Sequence, residues 1–520
     1  MGTGYPSIFM NTKETVMKKL ILVMLLICTL ALCLSACDKT DKTTKSCDHA
    51  YSEWVEVEAP SCTAQGLQMR VCSLCQEQER LPMDKLEHSL GDDDKCTLCG
   101  LMFATEGVVY QVSDDGTYAI VTEYSGTATN VKIVDSYEGL PVTTIGDGGF
   151  YKCSNLTSII IPDSVTTIGD YAFYCCSNLP SIIIPDSVTS IGSKAFMGCS
   201  KLTSIVIPDS VTAIGEEVFH FCSNLTSIVI PDSVITIGDY AFWSCTKLAS
   251  VTLGNSVTTI GNYAFCECSS LTFIVIPDSV TTIDDSAFRF CFKLTNITVA
   301  AGNPNYCSID GNLYSKDGKT LVQYAIGKLD TRFTIPDGVT TIGSRAFYEC
   351  SNLTSIIIPD SVTTIGDSAF YDCDGLTHIT VVKGNPNYRS IDGNLYSKDG
   401  KTLVQYAIGK TDTRFTVPNS VSSIGVGAFS CCSSLTSVTL PDSVTTIGEG
   451  AFQHCGYLTS ITLGNSVTAI GDSAFDDCFR LQNVYYIGSA KEWAQISIGS
   501  NNNYLTGATR HYNYVPENKE

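Results

Sequence analysis

Seven phenylalanines, Phe150, Phe173, Phe196, Phe219, Phe242, Phe265 and Phe288, stand 23 residues apart. The spacing jumps to 59 at Phe347, returns to 23 at Phe370, jumps to 59 again at Phe429, and returns to 23 at Phe452 and Phe475. A fixed period in the low twenties is the mark of a solenoid. One 23-residue copy has too few apolar residues to bury itself, so the copies must stack. The rest of the chain has to anchor, cap or decorate that stack.

Each copy reads as a short circuit of chain. In Leu225-Thr226-Ser227-Ile228-Val229-Ile230, Leu225, Ile228 and Ile230 are expected to point inward and Thr226, Ser227 and Val229 outward. Pro231-Asp232 turns the chain, and Val234 and Ile237 mark a second short extended segment. Ala241, Phe242 and Cys245 then fill the coil interior, with room for at most a short helical turn. The L-x-x-I-x-I strand is the leucine-rich repeat pattern. The chain is therefore expected to be mainly β: a leucine-rich-repeat solenoid of twelve 23-residue coils over 140–486. Two hairpin-like inserts lie at 300–335 and 382–417, and a small Cys/His module comes first. Pro180 and Asp284 depart from the phrase and mark the expected local irregularities.

The recurring phrase IPDSVTTIGDxAFxxCSxLTSIxI resembles the BspA-type (Treponema-type) leucine-rich repeat over about two-thirds of the chain. The resemblance implies a non-enzymatic surface protein that adheres to or binds other proteins. It carries over no binding residues, because the motif builds the scaffold.

A cysteine follows each phenylalanine by three residues, from Cys153 to Cys478. Stacked coils would set these thiols about 4.8 Å apart with parallel Cβ vectors, whereas disulfides need converging vectors. Free buried thiols are expected. The segments Asn303 to Lys328 and Asn385 to Lys410 are identical except at Cys307 and Arg389. Asp317-Gly318 and Asp399-Gly400 are expected to form type I′ turns in them. The inserts are either projecting binding hairpins or enlarged coils packed on their neighbours.

Upstream, residues 1–16 lack signal character. Lys18 and Lys19 precede an apolar run from Leu20 to Leu34 that is too short for a comfortable membrane span. The run ends in Leu34-Ser35-Ala36-Cys37, which resembles a bacterial lipobox. This predicts a lipoprotein signal peptide over 17–36, lipidation at Cys37, a tether over 37–46, and a membrane-anchored, extracytoplasmic location on the bacterial cell surface. Residues 47–100 hold Cys47, His49, Cys62, Cys72, Cys75, His88, Cys96 and Cys99. The two Cys-x2-Cys pairs have zinc-ribbon spacing, so structural zinc is the preferred reading and a disulfide-stapled module the alternative. Residues 105–139 read as an N-terminal β cap with a hairpin at Ser113-Asp114-Asp115-Gly116. Residues 487–515 read as a C-terminal cap in which Trp493 and Ile496 cover the last coil.

A net charge of −21 with no basic stripe excludes nucleic acid as a partner. There is no P-loop, H-E-x-x-H or G-x-S-x-G. His220, His378, His454 and His511 sit at different repeat positions, and the chain is not expected to be an enzyme. The expected function is adhesion, or binding of a protein or glycan at the cell surface. The alternative is a targeting arm of a degradative or sensory system. The candidate binding face is the outward strand column of Val206, Val229, Thr252, Val275, Thr298, Ile357 and Thr380, continuing through Ile160 and Ile183 at one end and Thr439 and Thr462 at the other.

Overall fold

A computed structural model describes residues 52–58, 66–71, 78–83, 105–284 and 286–515. The chain divides into two compact units, Met1–Leu86 and Glu87–Glu520. In the first, Val55–Glu58, Gly66–Val71 and Gln78–Met83 form a three-stranded antiparallel sheet in sequence order. Arg70 and Glu79 face each other in its register and are ion-paired at 2.5 Å.

The second unit is a β-solenoid whose repeats begin at residue 119 and make about 17 turns. Three ladders run along it. In the front ladder, strands such as Ser227–Val229 and Ser250–Thr252 pair parallel and in register, Ile228 opposite Val251. In the rear ladder, Thr236–Ile237 pairs with Thr259–Ile260 in the same way. Inward front-strand residues are buried: Leu225 0%, Ile228 2% and Ile230 1% exposed.

The third ladder contains no strand. In most coils the N–H groups two residues before the phenylalanine, at it, and two after it donate to the next coil. Examples are Lys194 to Glu216 at 2.9 Å, Phe196 to Val218 at 3.0 Å and Gly198 to His220 at 2.7 Å. Between them the chain turns on itself, as in Met197 N–H to the Lys194 carbonyl at 3.1 Å. Both flanking residues are left-handed in most coils: Tyr171 and Cys175 at φ 55° and 56°, Tyr240 and Ser244 both at 57°. That conformation aims alternate N–H groups at the next coil, so backbone donors that neither strand uses are satisfied.

Inside this turn ladder the phenylalanine rings stack. Centroids of Phe150 and Phe173 lie 5.3 Å apart at 6°, and Phe452 and Phe475 lie 5.0 Å apart at 12°. Each ring contributes roughly 1.5–3 kcal/mol of burial. The cysteines of the solenoid from Cys153 to Cys478 are free, and nine of them point Sγ at the phenylalanine carbonyl of the preceding coil at 2.8–3.3 Å. A thiol is small enough for the coil corner and still offers a weak donor to a carbonyl there. Burial pushes Cys199, Cys222 and Cys268 well above the usual thiol pKa, which keeps them protonated.

The ends are themselves coils. Val108–Val112 and Ala119–Tyr124 form the expected hairpin, but Ala119–Tyr124 also enters the rear ladder beside Leu140–Ile145. Asn130–Lys132 enters the front ladder beside Ser158–Ile160, and Tyr124 packs against Phe150 at 5.6 Å, tilted by 32°. At the other end Ser497–Ile498 and Thr509–His511 extend the rear and front ladders. The helix Ala490–Trp493, closed by a Ser489–Glu492 capping box, buries Trp493. Asn502, 2% exposed, accepts the N–H of Phe475 at 3.0 Å, the donor that has no further coil to meet.

Each insert is a three-stranded meander whose last strand lies in the rear ladder. Thr320–Gln323 pairs with Thr341–Ile342, and Thr402–Gln405 with Ser423–Ile424. Tyr324 and Tyr406 take the phenylalanine place, 5.5 Å from Phe347 and 5.3 Å from Phe429. The type I′ turns are not at Asp317-Gly318 and Asp399-Gly400. Only the glycines there are left-handed, while Asp317 and Asp399 accept hydrogen bonds from Ser315 and Lys319 and from Ser397 and Lys401. The residue pairs with both φ positive, as type I′ requires, are Asp310-Gly311 and Asp392-Gly393. Pro180 lacks a ladder donor, but its carbonyl still accepts Thr203 N–H at 2.9 Å. Asp284 keeps its backbone bond to Ile260 at 3.1 Å.

Candidate functional site

Cys37 and the eight candidate zinc ligands, Cys47, His49, Cys62, Cys72, Cys75, His88, Cys96 and Cys99, lie outside the described residues. The four histidines of the solenoid do not meet. His220 bonds Glu217, His378 bonds Thr377, His454 bonds Asp477 and His511 bonds Asn483.

The outward strand column faces out as its alternation dictates. Val206 is 41% and Val275 46% exposed, Thr252, Thr298 and Thr380 are exposed, and Val229 and Ile357 are half-buried. Ile183 and Phe273 enlarge the apolar part of this face. Thr462 departs from it: opposite Tyr485 in the last front pairing but one, it is 7% exposed.

A second surface escaped the sequence reading. The residues flanking each core phenylalanine line the outer side of the turn ladder, some exposed, as Tyr171 is, and others packed under their neighbours, as His220 and Tyr348 are, and in this chain they differ from copy to copy. They include Tyr171, Lys194, Glu217, His220, Tyr240, Trp243, Tyr263, Arg289, Phe290, Tyr348 and Tyr371. Their signal in the sequence was variation at a fixed offset from an invariant phenylalanine. They stack along the solenoid: His220 on Trp243 at 4.6 Å, Tyr240 on Tyr263 at 5.2 Å, and Tyr348 on Tyr371 at 4.9 Å. A cleft of about 410 Å³ opens among Glu217, Tyr240, Trp243, Tyr263, Cys266, Arg289 and Phe290.

Arg289 carries this surface across the first insert. Its guanidinium donates to the Tyr348 hydroxyl, lies 4.2 Å from that ring centroid and 4.4 Å from that of Phe290, and stands 3.8 Å from Glu349. Glu349 is 5% exposed, and burial pushes its carboxyl pKa up to about 8 despite the opposing pull of Arg289; Asp372, Glu267 and Asp374 push the same way. Trp243 Nε1, His220 Nε2, Arg289 Nε and Glu349 Oε2 are buried with no partner among the described residues. Buried polar atoms without partners are uncommon in folded proteins, and two of these four residues, Trp243 and Arg289, line the cleft.

The sequence profile of the BspA type leucine rich repeat region matches residues 127–247, 189–316, 326–403 and 401–502, in six copies. A leucine rich cell surface protein from Faecalibacterium prausnitzii A2-165 has a crystal structure similar to this chain, with 35% identity and a TM-score of 0.55. The similarity covers 76% of this chain and 97% of that one. A leucine-rich repeat protein from Bacteroides ovatus is 28% identical, with a TM-score of 0.48 over 79% of this chain and 99% of that one. No curated protein matches the chain. With its ladders, its stacked phenylalanines and a profile match over most of its length, the chain belongs to the BspA-type leucine-rich repeat family.

Proposed function

We propose that the chain is a lipid-anchored, non-enzymatic protein of the bacterial cell surface whose solenoid binds a partner protein. One observation carries the binding reading. The letters repeated most strictly are buried in the coil, while the large side chains that vary among copies collect on the turn ladder. A scaffold of uniform coils presenting a varied aromatic and charged surface suits recognition, since aromatic residues and arginine dominate binding hot spots. The relative from F. prausnitzii, named a cell surface protein, supports the location. Leu34-Ser35-Ala36-Cys37 supports the anchor. Among the described residues no helix is long and apolar enough to cross a membrane.

The front ladder supports a second binding reading through its exposed Ile183, Val206, Phe273 and Val275. The discriminating experiment is surface plasmon resonance of the full-length chain against purified host extracellular-matrix proteins. Trp243→Glu is compared there with a Val206→Lys, Val229→Lys, Thr252→Lys triple variant. Loss with the first variant alone supports the turn ladder, loss with the second alone supports the front ladder, and no binding by the wild-type chain removes the proposal. Labelled palmitate incorporated by the wild-type chain and not by Cys37→Ala would support the anchor. For the Cys/His module we retain structural zinc on its spacing. About one or two zinc ions per chain by mass spectrometry, reduced in Cys72→Ser, is the expected result; metal-free chains in which Cys47, Cys62, Cys72, Cys75, Cys96 and Cys99 resist alkylation until reduced would favour disulfides.

A further inference from the structure

The position one residue after each core phenylalanine forms its own stacked column on the turn ladder. Over the middle coils it contains His220, Trp243, Cys266 and Arg289, then, beyond the first insert, Tyr348 and Tyr371. Five of these six side chains are wide and flat. Cys266 is the small one of these six, and the cleft opens where it stands, between Trp243 and Arg289. The walls have opposite character. Trp243 is packed on one side by His220 at 4.6 Å and 11°. Across the cleft, Arg289 is held by Phe290, Tyr348 and Glu349. Tyr263 stands at the edge, 6.4 Å from the Trp243 centroid and 6.0 Å from the Arg289 guanidinium carbon. A ring at this place therefore meets an indole on one side and a guanidinium on the other.

We propose that this cleft receives the tyrosine side chain of a partner protein. The inference rests on the reading that the solenoid binds a protein, and it names the chemistry of the anchor. A flat ring adds one layer to an interrupted stack. One face lies on the indole of Trp243, and the other presents its negative quadrupole to Arg289. The phenol hydroxyl is both donor and acceptor. As a donor it suits the Glu217 carboxylate on the cleft wall, which already holds Lys194 at 3.4 Å and His220 at 3.0 Å. A cationic side chain is disfavoured because Arg289 forms a wall. An aliphatic side chain fills volume but leaves both π contacts unused.

The test titrates the full-length chain with N-acetyl-L-tyrosinamide, using N-acetyl-L-leucinamide as control, read by saturation-transfer NMR. A probe of this size is expected to bind with a dissociation constant on the order of 1 mM, and the leucine analogue roughly 5-fold or more weakly. Cys266→Phe, which puts a ring of the chain's own into the gap, should abolish saturable tyrosinamide binding. Cys266 is buried, so Trp243→Leu provides a second variant and should weaken binding by roughly 5-fold or more. Each variant is first checked for an unchanged far-UV spectrum. Equal affinity for the two probes, no saturable binding to the wild-type chain, or undiminished binding in a folded Cys266→Phe variant would overturn the proposal. Probe binding without any protein partner would count against the wider function alone. A protein partner captured by a chain that ignores the probe would count against this cleft alone.

Discussion

Ser368 holds φ at 54°, a conformation that costs an L residue roughly 1 kcal/mol relative to glycine. Its equivalents two residues before Phe150, Phe429 and Phe452 are Gly148, Gly427 and Gly450, all left-handed. Ser368→Gly should therefore stabilise its coil. The gain is about 0.5 kcal/mol, because the freer unfolded glycine offsets part of the relief. Slower hydrogen exchange at the amide of Tyr371, which donates to the Ser368 carbonyl at 3.0 Å, would show it; faster exchange would mean that the turn is not strained. Glu349 gives a residue-scale prediction in pH. Its folded pKa of about 8 lies above the ordinary carboxylate value, chiefly through burial. The folded state thus favours the protonated acid. Stability is greatest below the unfolded pKa near 4.3 and falls as pH rises toward and through about 8. Melting temperature should decline between about pH 5 and pH 9, and Glu349→Gln should flatten the decline. An unchanged slope in that variant would assign the pH dependence to other groups.

Single asparagines fasten the irregular elements. Asn303 is fully buried; its Nδ2 donates to the Pro277 and Val280 carbonyls at 2.7 and 2.8 Å, and its Oδ1 accepts from Asn305 and Tyr306 N–H at 2.9 and 2.8 Å. Asn385 repeats those four bonds in the second insert. Asn303→Ala should cost about 2–4 kcal/mol, since it leaves several buried groups unpaired. Limited proteolysis should then open the first insert and spare the second; equal resistance would mean that the meander is held elsewhere. How far these elements were legible follows from their chemistry. Strict alternation exposed the front strands, and the phenylalanine ruler exposed the coil. Asp-Gly was ambiguous, because it suits both a two-residue I′ turn and a turn closed by one left-handed glycine, and each insert contains two Asp-Gly pairs. The turn ladder was illegible because its left-handed positions carry Lys194, Glu217 and Tyr240, which signal nothing about φ. The cleft arises only when residues 23 and 46 positions apart are stacked, so no local motif announces it.

Along the whole solenoid, stability is a sum of coil and neighbour terms, so the weakest neighbour term decides where it opens. The buried core forms two clusters, one running from Ala119 to Ala325 and the other from Tyr314 to Ala508. They meet inside the first insert. There the Tyr314 and Tyr324 hydroxyls are buried without partners among the described residues, and an unsatisfied buried hydroxyl costs about 1–3 kcal/mol. The second insert has the same meander but lies wholly inside one cluster, and its Tyr406 hydroxyl reaches Asp412 at 3.5 Å. Across the first seam on the turn face, Arg289 ties Phe290 to Tyr348 and Glu349. Unfolding should therefore proceed in two blocks that part at the first insert and not at the second. Arg289→Met should lower the denaturant midpoint of one block without shifting the other equally. Hydrogen exchange followed by mass spectrometry across a urea series would show this as peptides on either side of residues 313–314 losing protection at different concentrations. A single concentration for both sides, in the wild type and the variant alike, would mean that the ladders couple the coils more strongly than the divided core implies.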